Sequence, residues 1–195
     1  MRPLYSTLLI YAVLLWLGRD TLLGLAQNEA YYPALMYESG VWSIRWLIVA
    51  ISVTPLLRLI TLLDRGQAVG RWLLRKRRHI GLVSAIFAIT HLLHYLRHEG
   101  RLDAVLHDLW RLEYATGWLS FALILALAMT SHGWAVRAMG RRWKRLHLWV
   151  YPAGLLALWH WYLLDYYTGR VLFWSCLFAA PLLLRWIFVR IRHAA

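Results

Sequence analysis

Cysteine is almost missing from this chain of 195 residues, with Cys176 the only one. A disulfide framework, a Cys-x-x-Cys pair and a thiolate metal site are therefore excluded. The lone thiol lies in the apolar stretch VLFWSCLFAAPLLL and is expected to be buried and inert. Acidic residues are also scarce, nine Asp and Glu against 22 Lys and Arg, for a formal charge of +13. Charged residues of both signs make up only 16% of the chain, hydrophobic ones 61%, and the mean hydropathy is +0.50. Soluble domains average ~25% charged residues, so this composition points to a membrane protein. A continuous basic face with interleaved aromatics, which a nucleic-acid groove needs, is absent too. The basic residues sit instead in short loops between apolar runs, and no nucleic-acid partner is expected. Tandem repeats, low-complexity tracts and a soluble second domain are not seen.

What is present is a series of apolar stretches near the ~20 residues that a membrane-spanning helix requires. They cover 4 to 26, 41 to 63, 80 to 96, 114 to 136, 146 to 164 and 171 to 189. The expectation is an all-α integral membrane protein, a six-helix transmembrane bundle forming one domain over residues 1–195. Arg45 and Arg185 fall near span ends, where long side chains snorkel toward water. The loop from Arg58 to Arg78 carries seven Lys and Arg with one Asp, and RAMGRRWKR carries five. The positive-inside bias puts both loops in the cytoplasm of a bacterial inner membrane. The loop from Arg97 to Glu113, with three Arg and four acidic residues, and the weakly charged loops at Glu29, Glu38, Asp165 and Arg170 face outward. An even number of spans then leaves both termini cytoplasmic. A cleaved signal peptide over the first stretch is a competing reading, opposed by Arg19 and Asp20 between the apolar run and the small residues Gly24 and Ala26.

Tyr31 and Tyr32, WHWY at 159 to 162, and DYY at 165 to 167 suit an aromatic belt at the outer boundary. In EGRLDAVLHDLWRL, the residues Leu102, Val105, Leu106, Leu109 and Trp110 form one helical stripe. A short helix on the outer surface is expected, as an anchor in the lipid bilayer or a docking face.

Nine histidines remain to be sorted. His98, His107, His132 and His193 fall in loops or near span ends and read as polar interface residues. His79 opens the third stretch and His91 lies about 18 Å further out, while His147 opens the fifth and His160 lies about 20 Å further out. Two facing helices thus carry histidines at matching depths, an outer pair of His91 with His160 and an inner pair of His79 with His147. Two neutral imidazoles at one level are what axial haem ligation requires. His94 is a spare, a substitute ligand or a propionate partner. A zinc site using His91, His94 and His160 and a purely structural role stay open, as does a membrane transport or binding protein whose histidines handle protons or a metal. Helical phase argues against one stripe for both histidines of a span, since thirteen residues fall some 140° short of four turns. Pro152 either rewinds the fifth span or marks its start, leaving His147 in the interface.

The stretches VTPLLRL, RKRRHIGLVSAIFAITHLLHY, LALAMTS and GRRWKRLHLWVYPAGLLALWHWY resemble the ferric-reductase-like transmembrane family over roughly residues 40 to 190. The match is nearest to its bacterial branch of haem-binding membrane subunits serving a periplasmic methionine sulfoxide reductase. The resemblance implies haem b, with ligands at the positions of His91, His147 and His160. His79 departs from the bacterial pattern and matches the fourth histidine of eukaryotic relatives with two stacked haems. It further implies a relay of electrons from the quinone pool or a cytoplasmic flavin reductase to a periplasmic molybdopterin reductase subunit. FMN is implied by the resemblance alone. The sequence holds no stretch like a soluble nicotinamide or flavin domain, so donor and acceptor are expected on other molecules.

Overall fold

The computed structural model describes residues 2–26, 32–62, 67–165 and 168–194. Glu29, Tyr31, Asp64, Arg65, Tyr166 and Tyr167 lie outside the described residues, as does the side chain of His193. The secondary structure among the described residues is all helical, in the order α1 (Arg2–Leu17), α2 (Arg19–Leu23), a short 3-10 turn (Gly24–Ala26), α3 (Tyr32–Leu62), α4 (Gln67–Glu99), α5 (Leu102–Asp108), α6 (Leu112–Met129), α7 (Gly133–Met139), α8 (Arg141–His147), α9 (Val150–Leu164) and α10 (Thr168–Ala194).

Among the described residues, four helical segments are long and apolar enough to cross a membrane: Tyr32–Ile60, Gly70–Glu99, Leu112–Met129 and Thr168–Phe188. The other two expected stretches give shorter helices. The first breaks at Gly18, where a side chain would collide with the Phe87 ring, its Cβ lying 2.4 Å from Cζ. In the fifth, α8 ends at His147 and a new helix starts at Val150. Pro152 therefore stands in the first turn of α9, where its missing N–H breaks no helical hydrogen bond. Of the two readings of Pro152, the structure takes the second.

A ring of four helices forms the centre. Helix α3 packs on α4, α4 on α6, α6 on α9, and α9 on α3, which leaves α4 and α9 facing each other across the bundle; α1 flanks α4, and α10 covers α3 and α9. Small and hydroxylated residues allow the close approaches, as is usual between membrane helices. Ser43 and Ser84 exchange hydrogen bonds with each other's carbonyl at 3.0 and 2.8 Å, and Ser120 donates to the Ala153 carbonyl at 2.8 Å. Ile44, Leu47, Ile48, Ile51, Leu158 and Phe178 knit α3, α9 and α10 together. Phe178 fits because Gly154 has no side chain, a Cβ there lying 2.2 Å from the ring. Gly154→Ala is expected to destabilise the protein by about 1–3 kcal/mol, the usual range for overpacking. Thermal denaturation in detergent checks this, with Gly169→Ala as a control because nothing lies within 4 Å of that position.

Two expectations are corrected. Cys176 is exposed on α10 beside exposed Leu172, Phe173 and Leu177. An apolar run in a membrane helix does not identify the protein-facing side, because lipid is as apolar as the core. Nor does Arg45 reach for water. Its guanidinium lies 4.7 Å from the Trp42 ring centre and 5.2 Å from that of Trp174.

Candidate functional site

Charge divides the bundle into two ends. One end, called inner after the positive-inside expectation, carries Arg75 to Arg78 and helices α7 and α8. The outer end carries α5, joined to α4 through Gly100 at a φ of 63°. A cavity of about 430 Å³ lies toward the outer end within the four-helix ring, in the size range of small-ligand sites. Its walls include Val41, Ile44, Leu92, Trp118 and Phe121, and both His91 and His160 face into it.

The His91 and His160 rings come from the two helices that face each other across the bundle. Their centroids are 6.2 Å apart and their planes stand at 83°. A metal–imidazole nitrogen bond is about 2.0–2.1 Å long, so two such bonds to one ion, with about 1.1 Å from each nitrogen to its ring centre, give a span of about 6.3 Å. The 6.2 Å centroid separation is compatible with both rings holding one ion between them.

The ring nitrogens are also sorted. Nδ1 of His91 meets the Met36 carbonyl at 2.7 Å, and Nδ1 of His160 meets the Glu113 carbonyl in a short hydrogen bond. A carbonyl only accepts, so each Nδ1 carries the proton and each neutral ring keeps its lone pair on Nε2. A backbone carbonyl on the second nitrogen is the partner that fixes tautomer and orientation in ligating histidines.

Each of these contacts depends on a glycine one helical turn further along. Met36 precedes Gly40 on α3 by four residues, and Glu113 precedes Gly117 on α6 by the same interval. A Cβ on Gly40 would lie 3.0 Å from Nδ1 of His91, and one on Gly117 would lie 2.7 Å from Nδ1 of His160. The missing side chains open a saddle over one turn, and the imidazole rests there against the carbonyl at its floor. Reading the sequence missed Gly40, Gly117 and the two carbonyls. Its only trace was a glycine inside an apolar stretch, which on its own names no partner.

The other histidines go elsewhere. His94 is fully buried on another side of α4, with Nε2–H donating to the Thr21 carbonyl at 2.9 Å and Tyr32 alongside. It does not line the cavity, so it is not arranged as a substitute for His91. His98 stands at the cavity edge with Glu99. His107 is exposed, and His132 caps α7 by accepting from the Ala135 N–H at 3.1 Å. Asp165 accepts from Trp161 at 2.8 Å and Tyr37 at 3.3 Å, and Asp108 accepts from Tyr95 at 3.0 Å. Among the described residues no three His, Cys, Asp or Glu side chains converge to hold a metal, so the zinc alternative has no ligand set.

His79 and His147 share a second, inner cavity of about 750 Å³. Nδ1 of His147 donates to the Trp143 carbonyl at 3.2 Å, its Nε2 lies 3.3 Å from the Ser131 hydroxyl, and its ring stacks on Trp143. His79 meets the Tyr11 hydroxyl at 3.0 Å through Nδ1. The two rings line one cavity without the close edge-to-ring approach of the outer pair.

Comparison with known proteins places these features in a family. The family model described as "ferric reductase like transmembrane component" matches residues 39–158, which hold Gly40, His91, Gly117 and His147 and stop just short of His160. The chain is 38% identical over 156 residues to the protein-methionine-sulfoxide reductase heme-binding subunit MsrQ of Bordetella pertussis, covering 78% of this chain and 70% of that protein. It is 36% identical over 134 residues to MsrQ of Xanthomonas oryzae pv. oryzae, covering 66% and 57% respectively. MsrQ of Brucella ovis is 38% identical over 117 residues, covering 58% and 49%. No solved structure matches the chain. With a model match over more than half its length and extended similarity to these relatives, the chain belongs to the ferric-reductase-like transmembrane family.

Proposed function

We propose that this chain is the haem-binding membrane subunit of a protein-methionine-sulfoxide reductase, passing electrons across the bacterial inner membrane to a periplasmic partner. Six spans with both termini in the cytoplasm, a molybdopterin reductase as acceptor, and the quinone pool or a cytoplasmic flavin reductase as donor complete the proposal. The relatives' name supplies the reductase system and the haem. The observation that carries the site assignment is the His91–His160 pair, two rings 6.2 Å apart with both Nδ1 protons held by carbonyls.

A haem b bound there would supply a one-electron carrier, with His91 and His160 as the residues that would hold its iron. The chain's own residues do the rest. His91 and His160 line the cavity with Nε2 left for a ligand, Met36 and Glu113 hold each ring through Nδ1, and Gly40 and Gly117 let the rings lie against those carbonyls. Val41, Ile44, Leu92 and Phe121 give the site apolar walls. With both imidazoles fixed on the iron, the group they hold would relay charge rather than bind substrate or oxygen.

An absorption spectrum of the protein purified in detergent tests the proposal. A Soret band with sharp α and β bands on reduction is expected, and a colourless, cofactor-free protein sinks it. The same result would favour a transport or binding role for the histidines.

A further inference from the structure

Helix α5 is held at the outer membrane surface by its connections. The membrane-crossing segment of α4 ends at Glu99 and that of α6 begins at Leu112, with α5 over Leu102–Asp108 between them. Gly100 and Arg101 join it to α4, and Leu109 to Arg111 join it to α6. Three residues reach about 10 Å at most, so α5 cannot rise clear of the span ends. Both of its ends stay near the boundary of the hydrocarbon.

The circumference of α5 divides into three sectors. At about 100° per residue, Val105 and Asp108 share one side, and both are buried against the bundle. Leu102, Leu106 and the C-cap Leu109 share a second side about 100° round from it, and all three are exposed. Asp103 and His107 share a third, about 110° further on, and their side chains are exposed as well. Just beyond the helix Trp110 is 91% exposed. A helix at the edge of a bundle in a membrane surface has protein beside it, acyl chains beneath it and water above it. The three sectors match those three neighbours.

A soluble protein partner is the other reading of an exposed apolar stripe, and two observations decide against it. The charged residues of this segment pair with one another, Arg101 with Asp103, and Arg111 with Asp108 and Glu113, which leaves little charge for recognising a partner. The stripe also leads through Trp110 into exposed Leu112 and Leu119 of the α6 span, seven residues apart on one face that lipid covers.

We infer that α5 is an interfacial helix whose Leu102, Leu106 and Leu109 side chains insert among the acyl chains of the outer leaflet, its rotation fixed by the hydrogen bond from Tyr95 to Asp108. Tyr95 stands on α4 and lines the outer cavity, and its hydroxyl donates to the Asp108 carboxylate at 3.0 Å. One bond thus ties the wall of that cavity to a helix seated in lipid. Without that donor a buried carboxylate is drawn toward water, and α5 turns with it. The inference rests on the membrane reading of the fold and not on the haem, so the two fail separately.

The test uses the full chain carrying Cys176→Ser, since that exposed thiol would also take a label, reconstituted in phospholipid nanodiscs. Nitroxides are attached at Leu106→Cys and, separately, at His107→Cys, and collisions with oxygen and with a water-soluble nickel chelate give the depth of each. The label at position 106 is expected about 5–10 Å into the headgroup and acyl boundary, and the label at position 107 in water. A label at 106 as open to the chelate as the one at 107 overturns the inference and leaves the stripe free for a protein partner. A label at 107 as deep as the one at 106 overturns it too, because the polar sector then does not face water. Adding Tyr95→Phe, which removes one hydroxyl, is expected to shrink the difference in depth between the two labels, and an unchanged difference overturns the role of Tyr95. Should Leu106→Cys fail to fold, judged by its elution profile, Leu102→Cys on the same stripe carries the test.

Discussion

His160→Ala is expected to strip the protein of most of its haem, and His91→Ala to do the same, while His94→Ala leaves the haem content near that of the parent. The three residues are alike in sequence terms, each a histidine within an apolar stretch. Their surroundings separate them. His91 and His160 face one cavity from opposite helices, whereas His94 is spent on tying α2 to α4 through the Thr21 carbonyl. Removing either outer imidazole would leave an iron with one protein ligand, and no replacement stands at the same level, because His98 lies about two helical turns further along α4 than His91. The measurement is the Soret absorbance per protein, with thermal denaturation to register any loss of fold. His94→Ala should register in that second measurement, since it removes a fully buried ring and leaves the Thr21 carbonyl without its donor. Full haem retention by His91→Ala or His160→Ala would exclude this pair as the essential ligand set.

The second large effect needs no change to a ligand. Gly117→Ala is expected to weaken haem binding about 10–100-fold, the range found when the outer partners of metal ligands are disturbed. The added methyl would stand 2.7 Å from Nδ1 of His160, which forces the ring off the Glu113 carbonyl. A ring that loses that acceptor loses its fixed tautomer, and the tautomer with the proton on Nε2 would then offer the iron no lone pair. Gly40→Ala should act in the same direction but less, because its methyl stands 3.0 Å from His91 and a small shift relieves it. Haem titration into the apoprotein checks both. Parent-like affinity in Gly117→Ala would show that the saddle is not what holds the ring. Both glycines sit inside helices, where alanine is otherwise favoured by about 1 kcal/mol. A loss of affinity without loss of stability is therefore the signature expected of Gly40 and Gly117, in contrast to Gly154.

Much of this protein was legible before any coordinates. Apolar stretches of spanning length, separated by loops of biased charge, specify membrane helices because a backbone in hydrocarbon has to satisfy its own hydrogen bonds. Counting residues at a fixed rise per residue put His91 and His160 at one depth, and the same count put His79 and His147 at another. Rise is a local property, so it survives into the fold. Rotation does not. Which side of a helix faces the bundle depends on its neighbours, and where lipid and protein interior are equally apolar the sequence carries little information about it. That is why Cys176 proved exposed, why Arg45 lies between two tryptophans, and why His94 turned away from the cavity that His91 lines.

The break at His147 was visible in Pro152 only as a choice between two outcomes, which the start of α9 at Val150 decided. The partners that prepare each imidazole were beyond the sequence altogether. Met36 lies 55 residues from His91 and Glu113 lies 47 from His160, and a carbonyl is present at every position. The sequence by itself determined a helical membrane protein with imidazoles at two depths. Only the packing of α3 and α6 against α4 and α9 decided that two of those rings would meet, each held by a carbonyl that a glycine leaves uncovered.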